Sequence, residues 1–315
     1  MSNACSKPPM GRSTLPRSTT DVRRFLEETR AAVNGVLETW AARAEAEEPG
    51  PLGAAMAYGL RTEGKRMRPA LVLAAYRELG GRGDATELAT AVEVIHTYSL
   101  MHDDLPCMDD DDLRRGRPTT HTVFGVPAAT DAGFRLVPLS ARVLGAGAGR
   151  LGLAAAIRRR IATELYRAAG AAGMVGGQVL DLEAEGRSVT LEELVRIHRA
   201  KTGALIAASG VMGAIAAGAG SEVIEAVRRY GFAIGLAFQI VDDVLDATAN
   251  SRALGKTAGK DAVQRKATYP ALLGVDGARR EAERQAADAV DRLRAHGLDS
   301  SLLAGLARMI VERAS

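Results

Sequence analysis

Two aspartate clusters hold most of the chemistry that can be read from this chain. The first runs Asp103-Asp104-Leu105-Pro106-Cys107-Met108-Asp109 and continues through Asp110, Asp111 and Asp112; the second is Asp242-Asp243-Val244-Leu245-Asp246. Carboxylates packed this closely repel one another, and buried together some would have to take up protons. A bound cation relieves the repulsion, and hard cations such as Mg²⁺ favour carboxylate oxygen. Two such clusters on facing elements would clamp a multiply charged anion through shared metals.

Basic residues supply the complement. Gly64-Lys65-Arg66-Met67-Arg68-Pro69 sets three cations within four positions at a helix start, where an anion is favoured. Arg114 and Arg115 follow the first acidic cluster directly, and Lys201-Thr202-Gly203, Lys256-Thr257, Lys260 and Lys266 add more. Guanidinium forks match phosphate oxygens. Basic groups alternating with acidic metal sites describe a diphosphate site.

These side chains need helices to position them. A long helix is predicted from Thr86 to about Asp104, and spacings of three, four and seven put Glu93, His96 and Asp103 on one face. In a later helix Gln239, Asp242, Asp243 and Asp246 form a stripe, with Asp242 and Asp246 one turn apart. Phe238, Ile240, Val241, Val244 and Leu245 flank that stripe, so the helix is expected to be largely buried with its aspartates facing a cavity. The first cluster differs. Asp103 and Asp109 are out of line on an ideal helix, and Pro106 breaks the ladder between them. A kink or bulge is therefore expected to return Asp109 to the side of Asp103. The run Asp109–Asp112 alone would read as solvated surface. It is not an EF-hand loop, because Arg114 stands where a glycine is needed and Thr120 where a glutamate would close it.

The remaining chain is consistent with this. Its 315 residues are 47% hydrophobic but only 4% aromatic, so the core must be aliphatic and alanine-rich. The net charge of +3 is mild and spread out, which with the acidic clusters argues against nucleic acid. Cys5 and Cys107 imply no disulfide framework. No apolar leader is visible, and the weakly apolar Gly203–Gly220 stretch, mostly Gly and Ala, reads as a closely packed helix rather than a membrane span. A cytoplasmic protein without stable membrane insertion is expected. Residues 1–20 read as a disordered tail and 21–315 as one all-α domain of about ten or more helices around a central cavity. Asp21 is expected to cap the first helix, Pro127 to lie in a loop, and Thr190 with Glu193 to form a capping box. Further helices are expected near 133–146, 151–170, 171–184, 190–207, 208–218, 221–247, 266–274, 277–295 and 300–313.

Taken together, EGKRMRP at 63–69, EVIHTYSLMHDDLPCMDDDDLRRGRPT at 93–119, GGQVLDL at 176–182, KTG at 201–203, FQIVDDVLD at 238–246, GKTAGKD at 255–261 and KATYP at 266–270 resemble the trans-isoprenyl diphosphate synthases, or polyprenyl synthetases. The resemblance runs from about residue 25 to the end. It implies three Mg²⁺ ions, with Mn²⁺ as an alternative, holding the diphosphate of an allylic substrate. Asp103 and Asp109 would ligate two of them and Asp242 the third, with Asp104, Asp243 and Asp246 in support. Arg114, Lys201, Gln239 and Lys256 would contact the allylic diphosphate; Lys65, Arg68, His96 and Arg115 would hold isopentenyl diphosphate; Thr202 and Lys266 would be further substrate-binding residues. A homodimer is also implied. Tyr98 lies about 7.5 Å along the helix before Asp103. An aromatic there, with the small Ser99 next to it and the longer first motif, resembles the bacterial farnesyl diphosphate synthase pattern. A C15 product is expected, with C20 the alternative.

The chain departs from the family pattern in two places. Glu63 stands where a glycine is common, and Gly133-Phe134-Arg135-Leu136 replaces the usual Gly-Asp-Ala-Leu. A non-catalytic partner subunit would typically lack aspartates from one motif, and both motifs are intact. A terpene cyclase would carry an Asn-Ser-Glu-type second metal motif in place of DDVLD.

Overall fold

The computed structural model describes residues 19–248, 267–298 and 301–314, and over these the chain is all-α. The order is α1 (Thr19–Glu47), α2 (Pro51–Leu60), α3 (Met67–Glu78), α4 (Thr86–Asp103), β1 (Leu113–Arg114), β2 (Arg117–Pro118), α5 (Thr120–Phe124), α6 (Val126–Arg150), α7 (Ala155–Ala169), α8 (Met174–Ala184) and α9 (Leu191–His198). A π-helical turn (Arg199–Gly203) follows, then α10 (Ala204–Ala216), α11 (Ser221–Thr248), α12 (Tyr269–Arg294), α13 (Ser301–Val311) and a 3₁₀ turn (Glu312–Ala314). Lys256 and Lys266 lie outside the described residues, as does residue 1–18 of the expected tail; Thr19 and Thr20 already belong to α1.

The Gly/Ala-rich stretch becomes α10, the helix at the centre. Every residue from Leu205 to Ile215 is buried, and α3, α7 and α11 pack around it. Small residues let these backbones approach closely: a Cβ at Gly213 would lie 2.2 Å from the Val72 carbonyl oxygen. No helix among the described residues is long and apolar enough to cross a membrane. Long-range hydrogen bonds tie the periphery to this core. Trp40 Nε1 donates to Glu87 Oε1 at 3.1 Å, fixing α1 on α4. The Leu302 amide donates to Glu78 Oε1 at 2.7 Å and the Tyr230 hydroxyl to the Leu303 carbonyl at 2.6 Å, fixing α13 on α3 and α11.

Local signals are met in most places and corrected in three. Thr190 and Glu193 form the reciprocal capping box. The break expected between 266–274 and 277–295 is a kink within α12 at Gly274, whose φ of 70° is open to glycine at no steric cost. Asp21 is not a cap: α1 starts two residues earlier and Asp21 sits in its first turn, where an acid favours the helix dipole. Pro127 is not in a loop either. It occupies the first turn of α6, where its missing N–H has no helical partner to lose. The break expected near 207–208 falls instead at the π turn, four residues earlier.

Candidate active site

The acidic bulge is built by the backbone. α4 ends at Asp103, and the chain then folds back so that the Asp109 amide donates to the Asp103 carbonyl at 2.9 Å, while the Asp110 amide donates to the Leu105 carbonyl at 3.1 Å. Asp110 accepts a left-handed φ of 50° to make this turn. The expected return of Asp109 over Asp103 is therefore present. The Asp103 carboxyl is pushed up to about 6, first by burial and then by the charges of Asp109 and Asp104, against the pull of Lys201 and Arg114. Those influences place Lys201 across from the first motif.

Lys201 rides on the π turn, a form that recurs at functional sites. Its Nζ donates to Asp181 Oδ2 at 2.6 Å. Gly177 permits this approach of α8, since a Cβ there would sit 2.1 Å from the Lys201 backbone nitrogen. The next residue, Thr202, donates its hydroxyl to Gln239 Oε1 at 2.9 Å, and Gln239 Nε2 donates to Asp243 Oδ1 at 3.1 Å. The other Asp243 oxygen accepts the Tyr269 amide at 3.0 Å. Asp243 is thus buried and engaged in holding the start of α12. Asp242, one residue earlier on α11, accepts from Arg313 Nη2 at 2.8 Å, and Arg313 lies over the Phe238 ring at 5.0 Å. The second aspartate stripe therefore splits into a structural member, Asp243, and a cation-facing member, Asp242, with Asp246 buried one turn on.

A third group is basic. His96 is held well below its usual range, first by burial and then by Arg68, Arg115, Arg114 and Arg66. Lys65 is lowered by burial and by Arg313 and Arg115, against Asp242. Lys65, Arg68, His96 and Arg115 are therefore one cluster, as expected. Among the described residues, Arg68 Nε is buried and meets no acceptor, and the same holds for Arg313 Nη1. Unmet cationic donors beside an imidazole held towards its neutral form suit a phosphate-bearing ligand. Arg115 reaches the cluster from a hairpin: Arg115 and Gly116 both have positive φ (55° and 75°), the pattern of a type I′ turn, and Arg115 Nη1 donates to the Glu63 carbonyl.

Besides Lys201, two further basic residues are already paired. Arg66 turns inward and meets Glu93 at 2.8 Å with both side chains buried, so its charge is matched although both stay beside the cluster: Arg66 acts on His96, and Glu93 on Arg68 and Arg115. Arg114 Nε donates to Asp104 Oδ1 at 2.6 Å. A pocket opens on this flank of α4, lined by Arg66, Glu93, Thr97, Asp104 and Arg114 among others. Tyr98 faces the other way, towards α6, half-buried, and Ser99 is buried beside it. Among the described residues no three His, Cys, Asp or Glu side chains converge on one point. Mg²⁺ sites shared with substrate phosphates need only one or two protein carboxylates. Asp103 with Asp109, and Asp242, meet that requirement.

Asp181 and Arg313 carry contacts that the sequence assigned to no one. Asp181 lies in GGQVLDL, one turn after Gln178, so its motif was a usable signal. Arg313 lies in no motif. Nearby, His198 is lowered to about 4, mainly by burial, with Lys201 assisting against Asp181, and its Nδ1 has no partner among the described residues. An unfolded histidine, near 6.5, takes up its proton first as pH falls, so stability is complete above about 6.5 and drops between there and 4. We expect this group to make the fold about 2 kcal/mol less stable at pH 5 than at pH 7. Urea unfolding of His198→Leu at both pH values checks it: an unchanged pH difference refutes the assignment.

The polyprenyl synthetase family pattern matches residues 50–297. A farnesyl diphosphate synthase of Bacillus subtilis (strain 168) is 41% identical over 94% of this chain and 99% of its own length. Geranylgeranyl pyrophosphate synthase 12 of Arabidopsis thaliana, a chloroplastic protein, is 43% identical over 95% of this chain and 82% of its own. A geranyltransferase of Helicobacter pylori, solved with magnesium and isoprenyl diphosphate, superimposes with a TM-score of 0.74 at 30% identity, covering 90% of this chain and 96% of that one. With its motifs folded into facing acidic and basic groups, the chain belongs to the polyprenyl synthetase family.

Proposed function

We propose that this prenyltransferase condenses isopentenyl diphosphate with C5 and C10 allylic diphosphates to give farnesyl diphosphate. The observation that carries the reading is the fold-back that sets Asp109 over Asp103 opposite Lys201. Asp103, Asp109 and Asp242 would hold Mg²⁺, three ions as the family resemblance implies. When bound, the metal neutralises the diphosphate and stabilises the charge that develops on it as it leaves. Lys201, with Thr202 and Gln239 fixed beside it, would hold the allylic diphosphate, and Arg114, released from Asp104, would join them. Lys65, Arg68, His96 and Arg115 would hold isopentenyl diphosphate, whose alkene attacks the allylic cation. The proton lost from the product would pass to the released diphosphate. The aspartates act as ligands and not as general bases. We place the enzyme in the cytoplasm, as the sequence led us to expect, and take it as a homodimer on grounds of family resemblance.

A C20 product is the second reading, favoured by the geranylgeranyl synthase relatives of similar identity. Product analysis separates the two. The purified protein is incubated with Mg²⁺, labelled isopentenyl diphosphate and, separately, C5, C10 and C15 allylic diphosphates. We expect C15 to accumulate with the C15 starter unused. C20 from all starters would replace the C15 reading, and no product from any starter would overturn the catalytic one.

A further inference from the structure

We propose that His102 and Phe134 position Tyr98 and thereby help to set product length, an inference that rests on the condensing activity proposed above. It takes up the departure at Gly133-Phe134, which that activity leaves unexplained.

Tyr98 and His102 are one turn apart on the flank of α4 that meets α6. At 100° per residue, Tyr98 lies about 140° around the helix from Asp103, so the metal-binding face does not dictate where its ring points. Its neighbour does. The Tyr98 and His102 rings meet edge to face, with centroids 5.0 Å apart and planes at 74°. His102 meets Phe134 of α6 in the same way, at 4.9 Å and 82°. The imidazole between them is held at two further points. Its Nε2 lies 3.0 Å from the Thr130 carbonyl oxygen, which only accepts, so that nitrogen carries the hydrogen. At Gly133 a Cβ would lie 2.2 Å from the same Nε2, so only glycine lets the ring settle against α6. Gly133 admits the ring, Thr130 orients it and Phe134 closes its outer side.

Phe134 is 60% exposed, so core packing does not account for it. Its contact with His102 is an interaction a smaller or charged side chain would not make. At the other end of the stack, Tyr98 is close enough to Asp103 for that carboxylate to raise its hydroxyl's pKa, after burial. The stack thus runs from beside the metal-binding end of the site to the surface of α6. A ring stops chain growth only if it resists being pushed aside, and here the resistance comes from His102 and, behind it, Phe134. Both act through Tyr98 and are positioning residues.

The test is the C20:C15 product ratio from a C10 starter with Mg²⁺ and isopentenyl diphosphate. Phe134→Ala is expected to raise the ratio about threefold to tenfold, the range covered by a lost aromatic pair. Phe134→Tyr, which keeps the ring, should restore the wild-type ratio. Because Phe134 acts through Tyr98, adding Phe134→Ala to Tyr98→Ala should change nothing more. An unchanged ratio in active Phe134→Ala, or equal increments in both backgrounds, overturns the inference alone. A wild type that condenses nothing overturns the proposed activity and this inference with it.

Discussion

Asp103→Ala is expected to lower the condensation rate by about 10²- to 10³-fold or more, because one anchor for the charge that develops on the departing diphosphate is gone. The fold should survive. Asp103 is the last residue of α4, where a negative charge opposes the helix dipole, and burial, with Asp109 and Asp104 adding to it, pushes its carboxyl up to about 6 against Lys201 and Arg114. Removing it takes away a buried charge in the metal-free protein, so the melting temperature should hold or rise and the helical circular dichroism should stay nearly intact. What should vanish is the rise in melting temperature on adding Mg²⁺ with inorganic diphosphate. Retained turnover, or a retained Mg²⁺-dependent thermal shift, would refute the ligand role.

Tyr98→Ala should lengthen the main product by at least one five-carbon unit. Burying a further isoprene unit in an apolar channel is worth about 4 kcal/mol at about 0.8 kcal/mol per carbon, so the chain continues wherever space exists. The ring is half-buried at the α4–α6 seam, and its loss opens that space without touching the aspartates or the basic cluster. Turnover of the C10 starter should therefore persist while C20 or longer products replace C15. An unchanged product spectrum in an active variant would move the length stop elsewhere.

The parts of this site that were legible in the sequence are those fixed by short-range geometry. Two aspartates six positions apart with a proline between them could not share one helical face, and the chain resolves this with the fold-back at Asp109. The capping box at Thr190 and the kink at Gly274 follow from local chemistry in the same way. The motif order also placed Lys201 and the second aspartate cluster in one site. Partners distant in sequence were not legible. Arg66 looked like one of three equivalent cations, yet its left-handed φ of 51° turns it into the core to meet Glu93, while Arg68 keeps an unmet donor. The resemblance made Asp242 a ligand and Asp243 its support, but only the arrival of α12 shows what Asp243 does there: it accepts the Tyr269 amide and holds the start of that helix, while Asp242 faces Arg313. Adjacent residues on one helix look alike until tertiary packing assigns each a neighbour.

The π turn at Arg199–Gly203 has a bearing on how this sequence can change. Such a turn holds one residue more than a continuous α-helix would need. Losing that residue would let α9 and α10 merge with every backbone hydrogen bond still made, so in terms of helix stability the extra residue is dispensable. In terms of register it is not. Each residue turns a helix by about 100°, and the surplus one sets the angle at which Lys201 meets Asp181 and Thr202 meets Gln239. Length variation here is constrained by phase, even though the backbone would accommodate it.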